Sequence, residues 1–381
     1  MNEFLPSRRL RGIEKSLIRQ VFDRAPPGSI NLGLGEPDLD TPEVIKRAAV
    51  RVINEEHNGY TNQAGLKLLR ERVVTNYPQL NLTPEQVIIT AGSQEALYLA
   101  LITLVDEGDE VLLPDPGFVA YPAIVRMAGG IPRFYRAPAA NGFRFDAEDF
   151  RRSLSPRTKV VVCISPSNPT GRTLSSTDLR AMAAALQDLD AFIISDEIYR
   201  DLYYTDERPA SISAFYDRTI LISGLSKSMS MTGWRLGWIC GDAGVIRSAL
   251  VLHGYVTTCA STISQKAALA AWTDEAEKAR AETRKTFRER RDHLLDLILR
   301  RLNLRAVPPD GAFYTMVDVS RYGSSMQVAD ALLEQGVITV PGLAFGNEGE
   351  GFLRVSFCAD LPQLTEGVER IEAALKRFGK P

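Results

Sequence analysis

Residues 223–237 read SGLSKSMSMTGWRLG. One lysine, Lys227, sits there among glycines and hydroxyls, eight residues ahead of Arg235. The run before it, RTILI, is β-branched and predicts a strand. A long, strongly hydrated cation at the end of a buried strand, with small residues around it, asks for a chemical reason.

Similar strand signals recur along the chain. VIIT (87–90), EVLL (110–113), IPRFY (131–135), KVVVCI (159–164), AFIIS (191–195), TILIS (219–223) and WICG (238–241) are separated by helical patterns such as SQEALYLALITLV (93–105) and STDLRAMAAALQDL (176–189). Alternation of this kind predicts a largely parallel α/β sheet with crossover helices. Residues 273–302 form a long, charged helix pattern that joins this unit to a smaller α+β tail ending in an amphipathic helix near 363–377. The expected division is an N-terminal segment, 1–40, packed on the small domain, a large domain, 41–285, and a small domain, 286–381.

Composition narrows the function classes. The chain has 381 residues, is 45% hydrophobic and 24% charged, and carries a net charge of −2 with the two signs well mixed. Neither a nucleic-acid footprint nor a polybasic membrane patch is expected. No apolar run reaches the ~18 residues of a membrane span, and the charged N-terminus shows no signal peptide. Four scattered cysteines without a CxxC read as free thiols in a reducing, cytoplasmic setting. Three histidines far apart in sequence offer little to a metal or a Ser-His-Asp triad, so no metal is expected.

In an open parallel sheet, ligands bind outside the carboxyl ends of the strands. VIIT runs into AGSQEAL, a glycine turn opening a helix whose free N–H groups suit an anion. KVVVCI leads to Asn168 in SPSNPTG, AFIIS leads to Asp196 and Tyr199, and TILIS leads to Lys227. An anion-ready helix terminus, an amide, a carboxylate, a phenol and a lysine would therefore meet at one edge. A desolvated lysine can form a Schiff base with an aldehyde. A carboxylate can keep a pyridine nitrogen protonated, and an arginine at a helix terminus suits a phosphate. These are the needs of pyridoxal 5′-phosphate.

The sequence resembles the class I/II, fold-type I, pyridoxal phosphate-dependent aminotransferases, and leans toward their aspartate aminotransferase-like branch. The resemblance spans nearly the whole chain. It rests on NLGLGEPDLDTP (31–42), GYTNQAGLKLLRE (59–71), SPSNPTG (165–171), SDEIY (195–199), GLSKSMSMTGWRLG (224–237), PDGAFY (309–314) and LRVSF (353–357), in the family's order. It implies an α/β fold with a mostly parallel seven-stranded sheet between helices and a smaller α+β domain.

The same resemblance implies roles. Lys227 would hold the cofactor and shuttle the proton. Asp196 would pair with the pyridine nitrogen, Tyr199 and Asn168 would bond the phenolate oxygen, and Phe118 would stack on the ring. Gly92, Ser93 and Gln94 would cradle the phosphate, with Arg235 as its charge partner. Arg354 would grip the substrate α-carboxylate with two prongs, Asn168 would border the substrate, and Gly35 would let the N-terminal segment come close. Tyr60 would reach the cofactor of a neighbouring subunit, which implies a homodimer with shared sites. Many relatives have serine three residues before the lysine, where this chain has Gly224; Ser223 or Ser226 would have to replace it.

Plainer readings stand beside these. Asp196 could be a helix N-cap, and Tyr199, Phe118 and Tyr60 could be packing residues. Glu197 is expected to point away as a solvated or salt-bridged side chain. His253 and His293 read as structural or surface residues, and FRERRDH (287–293) as the solvated face of a long helix. Aspartate is the leading donor and 2-oxoglutarate the expected acceptor. A second cation for a dicarboxylate could come from Arg8, Arg9, Arg11, Lys15 or Arg19. Aromatic, alanine or methionine donors are alternatives. So are a C–S β-lyase on the same fold and a non-catalytic, cofactor-sensing regulator, for which a preceding DNA-binding domain would be expected.

Overall fold

Runs of Val, Ile and Leu buried on both faces form parallel strands because crossover helices cover each side of the sheet. The computed structural model describes residues 4–378. A two-residue strand, β1 (Ile30–Asn31), comes first. Seven strands then build one sheet: β2 (Val87–Thr90), β3 (Glu110–Asp115), β4 (Ile131–Arg136), β5 (Thr158–Ile164), β6 (Phe192–Asp196), β7 (Thr219–Gly224) and β8 (Gly237–Cys240). Their order is β2-β8-β7-β6-β5-β3-β4. Only β8 is antiparallel to its neighbours β2 and β7. The other pairings are parallel.

This topology aims six of the seven strands the same way, all but β8. β2 and β7 both oppose β8, so the carboxyl ends of β2, β3, β4, β5, β6 and β7 share one edge. The register sets Asp196 beside Ile164 on one side and Ile222 on the other. Gly224 pairs with Gly237, and Thr90 pairs with Gly237 from the far side. Short glycines are required at that junction. A Cβ on Gly224 would lie 2.8 Å from the Leu236 carbonyl, and one on Gly237 would lie 2.6 Å from the Ser93 nitrogen.

The crossover helices start on local signals. Ser175 and Asp178 form a reciprocal capping box at Ser176–Ala185. A second group of strands follows: β9 (Tyr314–Asp318), β10 (Val337–Ile338), β11 (Val340–Pro341) and β12 (Phe352–Ser356). β12 lies between β11 and β9 in an antiparallel sheet, with Arg354 level with Val340 and Met316. β1 pairs in parallel with β10, and Val21 packs on Leu333 and Ile338.

The long helix runs over Asp274–Leu297 and widens into a π-turn at Ile298–Leu302. Three acids in its first turn face the positive end of its dipole. The stretch FRERRDH is not simply a solvated face. Phe287 is fully buried against Phe313, and Arg290 is buried too. Arg290 grips Asp38 with two bonds of 2.6 and 3.0 Å and donates to the Cys358 carbonyl at 2.7 Å. The helix lies between layers, so two residues of that run point inward. Among the described residues, no helix is long and apolar enough to cross a membrane.

Candidate active site

At the shared strand edge lies a cavity of about 280 Å³. Of the residues singled out from the sequence, it is lined by Gly35, Ser93, Gln94, Phe118, Asn168, Asp196, Tyr199, Ser226, Lys227, Arg235 and Arg354. They come from eight separate stretches of chain. A larger cavity, of about 370 Å³, lies near Asp201, Trp272 and Arg280. Its charges pair with one another, Arg280 with Glu277 and Arg208 with Asp201.

Lys227 follows β7 by three residues and points into the smaller cavity. Its Nζ donates to the Gly35 carbonyl at 2.7 Å. Burial pushes its pKa below the ordinary lysine value, and the nearby Arg235 and Arg354 add to this. A lysine of lowered pKa is a better nucleophile at neutral pH.

Asp196 ends β6 and is buried. No helix follows it, so it is not a helix N-cap. Its carboxylate accepts from the Ile198 N–H at 3.2 Å and from the Tyr121 hydroxyl at 2.9 Å. Burial raises its pKa to about 6, against the lowering effect of those bonds and of Lys227. Glu197 turns to the other side, where it is buried, not solvated. It accepts from Ser195 and Ser211 and pairs with Arg200 at 3.4 Å.

Beyond β2, the turn at Gly92 opens the helix Ser93–Leu104. Gly92 has φ +91°, and a Cβ there would lie 2.6 Å from Arg235 Nη2. The Arg235 guanidinium donates to Thr232 O at 2.8 Å and to Ala91 O at 3.3 Å. An exposed cation thus stands against the open N–H groups of a helix start, the arrangement an anion needs. Ser226 lines the same cavity. Ser223 does not: its hydroxyl is buried on the Glu197 carbonyl at 3.0 Å.

Arg354 sits mid-strand in β12 and is 2% exposed. It donates to Asn168 Oδ1 at 2.8 Å and to the Gly33 carbonyl. Its guanidinium lies over the rings of Tyr314, at 4.3 Å, and Phe345, at 4.7 Å. Its Nε has no partner, and no acid lies within ion-pair distance among the described residues. A buried arginine without a carboxylate is costly unless it meets an anion. Gly35 must be small, because a Cβ there would overlap the Tyr314 hydroxyl.

Two functional neighbours escaped the sequence reading. Tyr121 holds Asp196, and its only signal was a place three residues after Phe118, whose ring it meets edge-on at 5.5 Å. Tyr314 closes PDGAFY, and its hydroxyl shares a 2.9 Å hydrogen bond with Tyr199. Burial keeps both phenols of that pair protonated, with Tyr314 pushed up to about 12. Tyr60 is not brought to this cavity in its own chain. It is 89% exposed and borders a separate surface hollow with Cys259 and Thr262. None of the five N-terminal cations lines the cavity; Ile18 does. Lys15 and Arg19 pair with Asp23 instead.

The donor set fits an aldehyde, a ring nitrogen and a phosphate held together. It offers a partly buried lysine of lowered pKa, a buried carboxylate at the end of the neighbouring strand β6, and an arginine against a glycine turn. Fold and site together define a fold-type I pyridoxal phosphate enzyme. The sequence profile of the aminotransferase class I and II family matches residues 27–371. The chain is 37% identical to a probable aspartate aminotransferase of Methanocaldococcus jannaschii, covering 92% of this chain and 94% of that one. It is 37% identical to an aspartate aminotransferase of Pyrococcus horikoshii, covering 96% and 95%. The solved aspartate aminotransferase from Thermus thermophilus with maleate superposes with a TM-score of 0.92 at 35% identity, over 98% of this chain and all of that one. The chain belongs to the class I and II aminotransferases and is a pyridoxal phosphate-dependent aminotransferase.

Proposed function

We propose that this enzyme moves the amino group of an L-amino acid, with aspartate the leading donor, to a 2-oxo acid such as 2-oxoglutarate. The observation that carries this is one cavity holding a partly buried lysine, a buried carboxylate and a buried arginine that lacks an acidic partner among the described residues. The cofactor, when bound, supplies an electron sink for the bond-breaking at the substrate α-carbon. The chain's own residues do the rest. Lys227 anchors the cofactor, and its Nζ takes and returns the α-proton. Asp196, held by Tyr121, keeps the ring nitrogen protonated. Tyr199 and Asn168 bond the phenolate oxygen, and Phe118 stacks on the ring. Gly92, Ser93, Gln94, Ser226 and Arg235 hold the phosphate. Arg354 binds the α-carboxylate, oriented by Asn168 and Tyr314, and Gly35 leaves room for the substrate.

The active unit in this reading is a homodimer in which Tyr60 serves the partner's cofactor. Tyr60 and Tyr255 are 89% and 90% exposed, which supports a covering second copy. The division into an N-terminal segment, a large domain and a small domain with its boundary near residue 285 belongs to the same reading. So does a cytoplasmic setting, which the buried free thiols Cys163, Cys240 and Cys358 favour.

One observation favours a second donor class. The cavity's cations are Lys227, Arg235 and Arg354, each already assigned, while Ile18 and Leu34 form part of its wall. That wall suits an uncharged side chain. A donor panel with 2-oxoglutarate separates the readings by kcat/KM. Aspartate ahead of phenylalanine, leucine and methionine supports the first, and the reverse order supports the second. Pyruvate and ammonia appearing without an oxo-acid acceptor would mean β-lyase chemistry instead.

A further inference from the structure

Behind the glycine turn at Gly92 lies a buried network that the roles above leave unused. Glu95 is the third residue of the helix Ser93–Leu104, and its side chain is 8% exposed. One carboxylate oxygen accepts from the Ala91 N–H at 2.5 Å. The other accepts from the Thr257 hydroxyl at 2.5 Å and meets His253 Nδ1 at 2.8 Å. His253 is fully buried, and its Nε2 has no partner among the described residues. The carboxylate therefore selects the tautomer with the proton on Nδ1. Burial works to raise the pKa of Glu95, but the three donors outweigh it and hold it below the usual carboxylate value.

The need for this network follows from the glycine. Helix N-caps are ordinarily Ser, Thr, Asp or Asn, whose side chains tie the first turn. Gly92 cannot carry one, because the Arg235 guanidinium occupies the place of a Cβ. A glycine at φ +91° is also free to leave that conformation. Glu95 supplies the missing tie from inside the helix, much as the glutamate of a capping box does, but it reaches one residue further back. Ala91 is then held on both sides, its N–H by Glu95 and its carbonyl by Arg235 at 3.3 Å.

We propose that Glu95, itself held by His253 and Thr257, is a positioning residue for the cofactor phosphate: it fixes the Ala91–Gly92 turn so that the amides opening the helix face the phosphate. This rests on the reading that the Gly92 turn and Arg235 receive that phosphate. Glu95→Gln is the sharp perturbation. The amide can still accept from Ala91 and the Thr257 hydroxyl can turn to accept from its NH2, but that NH2 then faces the His253 Nδ1–H, donor against donor. Moving the imidazole proton to Nε2 leaves that N–H buried without an acceptor.

The readout is the ratio of dissociation constants of pyridoxal and pyridoxal phosphate on the apo dimer, which isolates the phosphate contribution, together with apo melting temperature. Glu95→Gln should narrow the ratio by about tenfold with pyridoxal affinity nearly unchanged, while apo melting falls by a few degrees because a buried donor is left unpaired. His253→Leu should do the same, and His253→Asn, which keeps a donor near the Nδ1 position, should restore it. Arg235→Gln is the control for the underlying reading. If it leaves the ratio unchanged, the phosphate site lies elsewhere and the inference falls with it. If Arg235→Gln narrows the ratio and Glu95→Gln does not, or weakens both ligands equally, the inference alone is overturned. If Glu95→Gln does not fold, the two His253 variants decide by the same criterion.

Discussion

Asp196→Asn makes the most direct test of the site's electrostatics, because it can be read without turnover. In the folded chain the carboxyl has a pKa of about 6, raised first by burial. In the unfolded chain it titrates near ~3.9. The folded state therefore binds the proton more tightly. Stability from this group is fully present below pH ~4 and is lost as pH rises through about 6. The gap of roughly two pH units corresponds to about 3 kcal/mol, at about 1.4 kcal/mol per unit. Asparagine is neutral throughout and can keep the Ile198 N–H bond, while the Tyr121 hydroxyl can turn to accept from its NH2. Other groups near Asp196, namely Glu197 and Lys227, are the same in both proteins. Urea unfolding of the apo proteins from pH 4 to pH 8 should show equal stabilities at the acid end. By pH 7.5 the Asn variant should be more stable by about 2–3 kcal/mol. Pyridoxal phosphate should then reverse the order, since only the ionised carboxylate pairs with a protonated ring nitrogen. A difference that stays flat across the range, or an Asn variant that is less stable at pH 7.5, would refute the buried-carboxylate argument.

Lys227→Ala should still bind pyridoxal phosphate but should not be labelled by borohydride, whereas in the native enzyme the label should map to the peptide containing Lys227; label on another lysine removes the assignment. Arg354→Lys should raise KM for every amino and oxo acid by at least about tenfold, because the α-carboxylate is common to all and a lysine cannot offer two prongs. A loss confined to dicarboxylates in steady-state kinetics would mean that Arg354 reads the distal group. Gly92→Ala should weaken cofactor binding and cost about 1 kcal/mol of folding stability, since a Cβ meets Arg235 at 2.6 Å on a backbone with φ +91°; unchanged affinity by titration would place the phosphate elsewhere. Mixed dimers of Tyr60→Phe and Lys227→Ala subunits, each nearly inactive alone, should regain activity through one intact site, and heterodimers that stay inactive would argue against sharing.

Much was legible in the sequence because local chemistry wrote it. Seven β-branched runs separated by helical patterns allow few arrangements other than a covered parallel sheet, and such a sheet binds ligands at its carboxyl edge. The strand ends alone single out Lys227, Asp196, Asn168 and the Gly92 turn. They do not single out Tyr121 or Tyr314, because a buried tyrosine looks the same in sequence whether it packs or donates. Arg290 reads as a solvated charge in sequence and is buried in an ion pair, while Glu197, which reads as solvated or salt-bridged, is salt-bridged but buried.

The order of strands, and the identity of the cavity wall, belonged to the tertiary structure alone. Sequence spacing says that β8 follows β7, but only pairing shows it inserted between β7 and β2, antiparallel to both, which brings Arg235 against Gly92. The choice between Ser223 and Ser226 was open in sequence because both flank Gly224. The fold puts Ser226, just past the end of β7, on the cavity wall and ties the Ser223 hydroxyl to the Glu197 carbonyl instead. Five N-terminal cations looked available to a substrate until the fold turned Ile18 inward and paired Lys15 and Arg19 with Asp23. The chain's residue types specify which chemistry is possible through their own pKa values, shapes and propensities. Which side chains actually meet depends on contacts between residues far apart in the chain, such as Arg354 with Gly33, 321 positions away, and no local pattern encodes that distance.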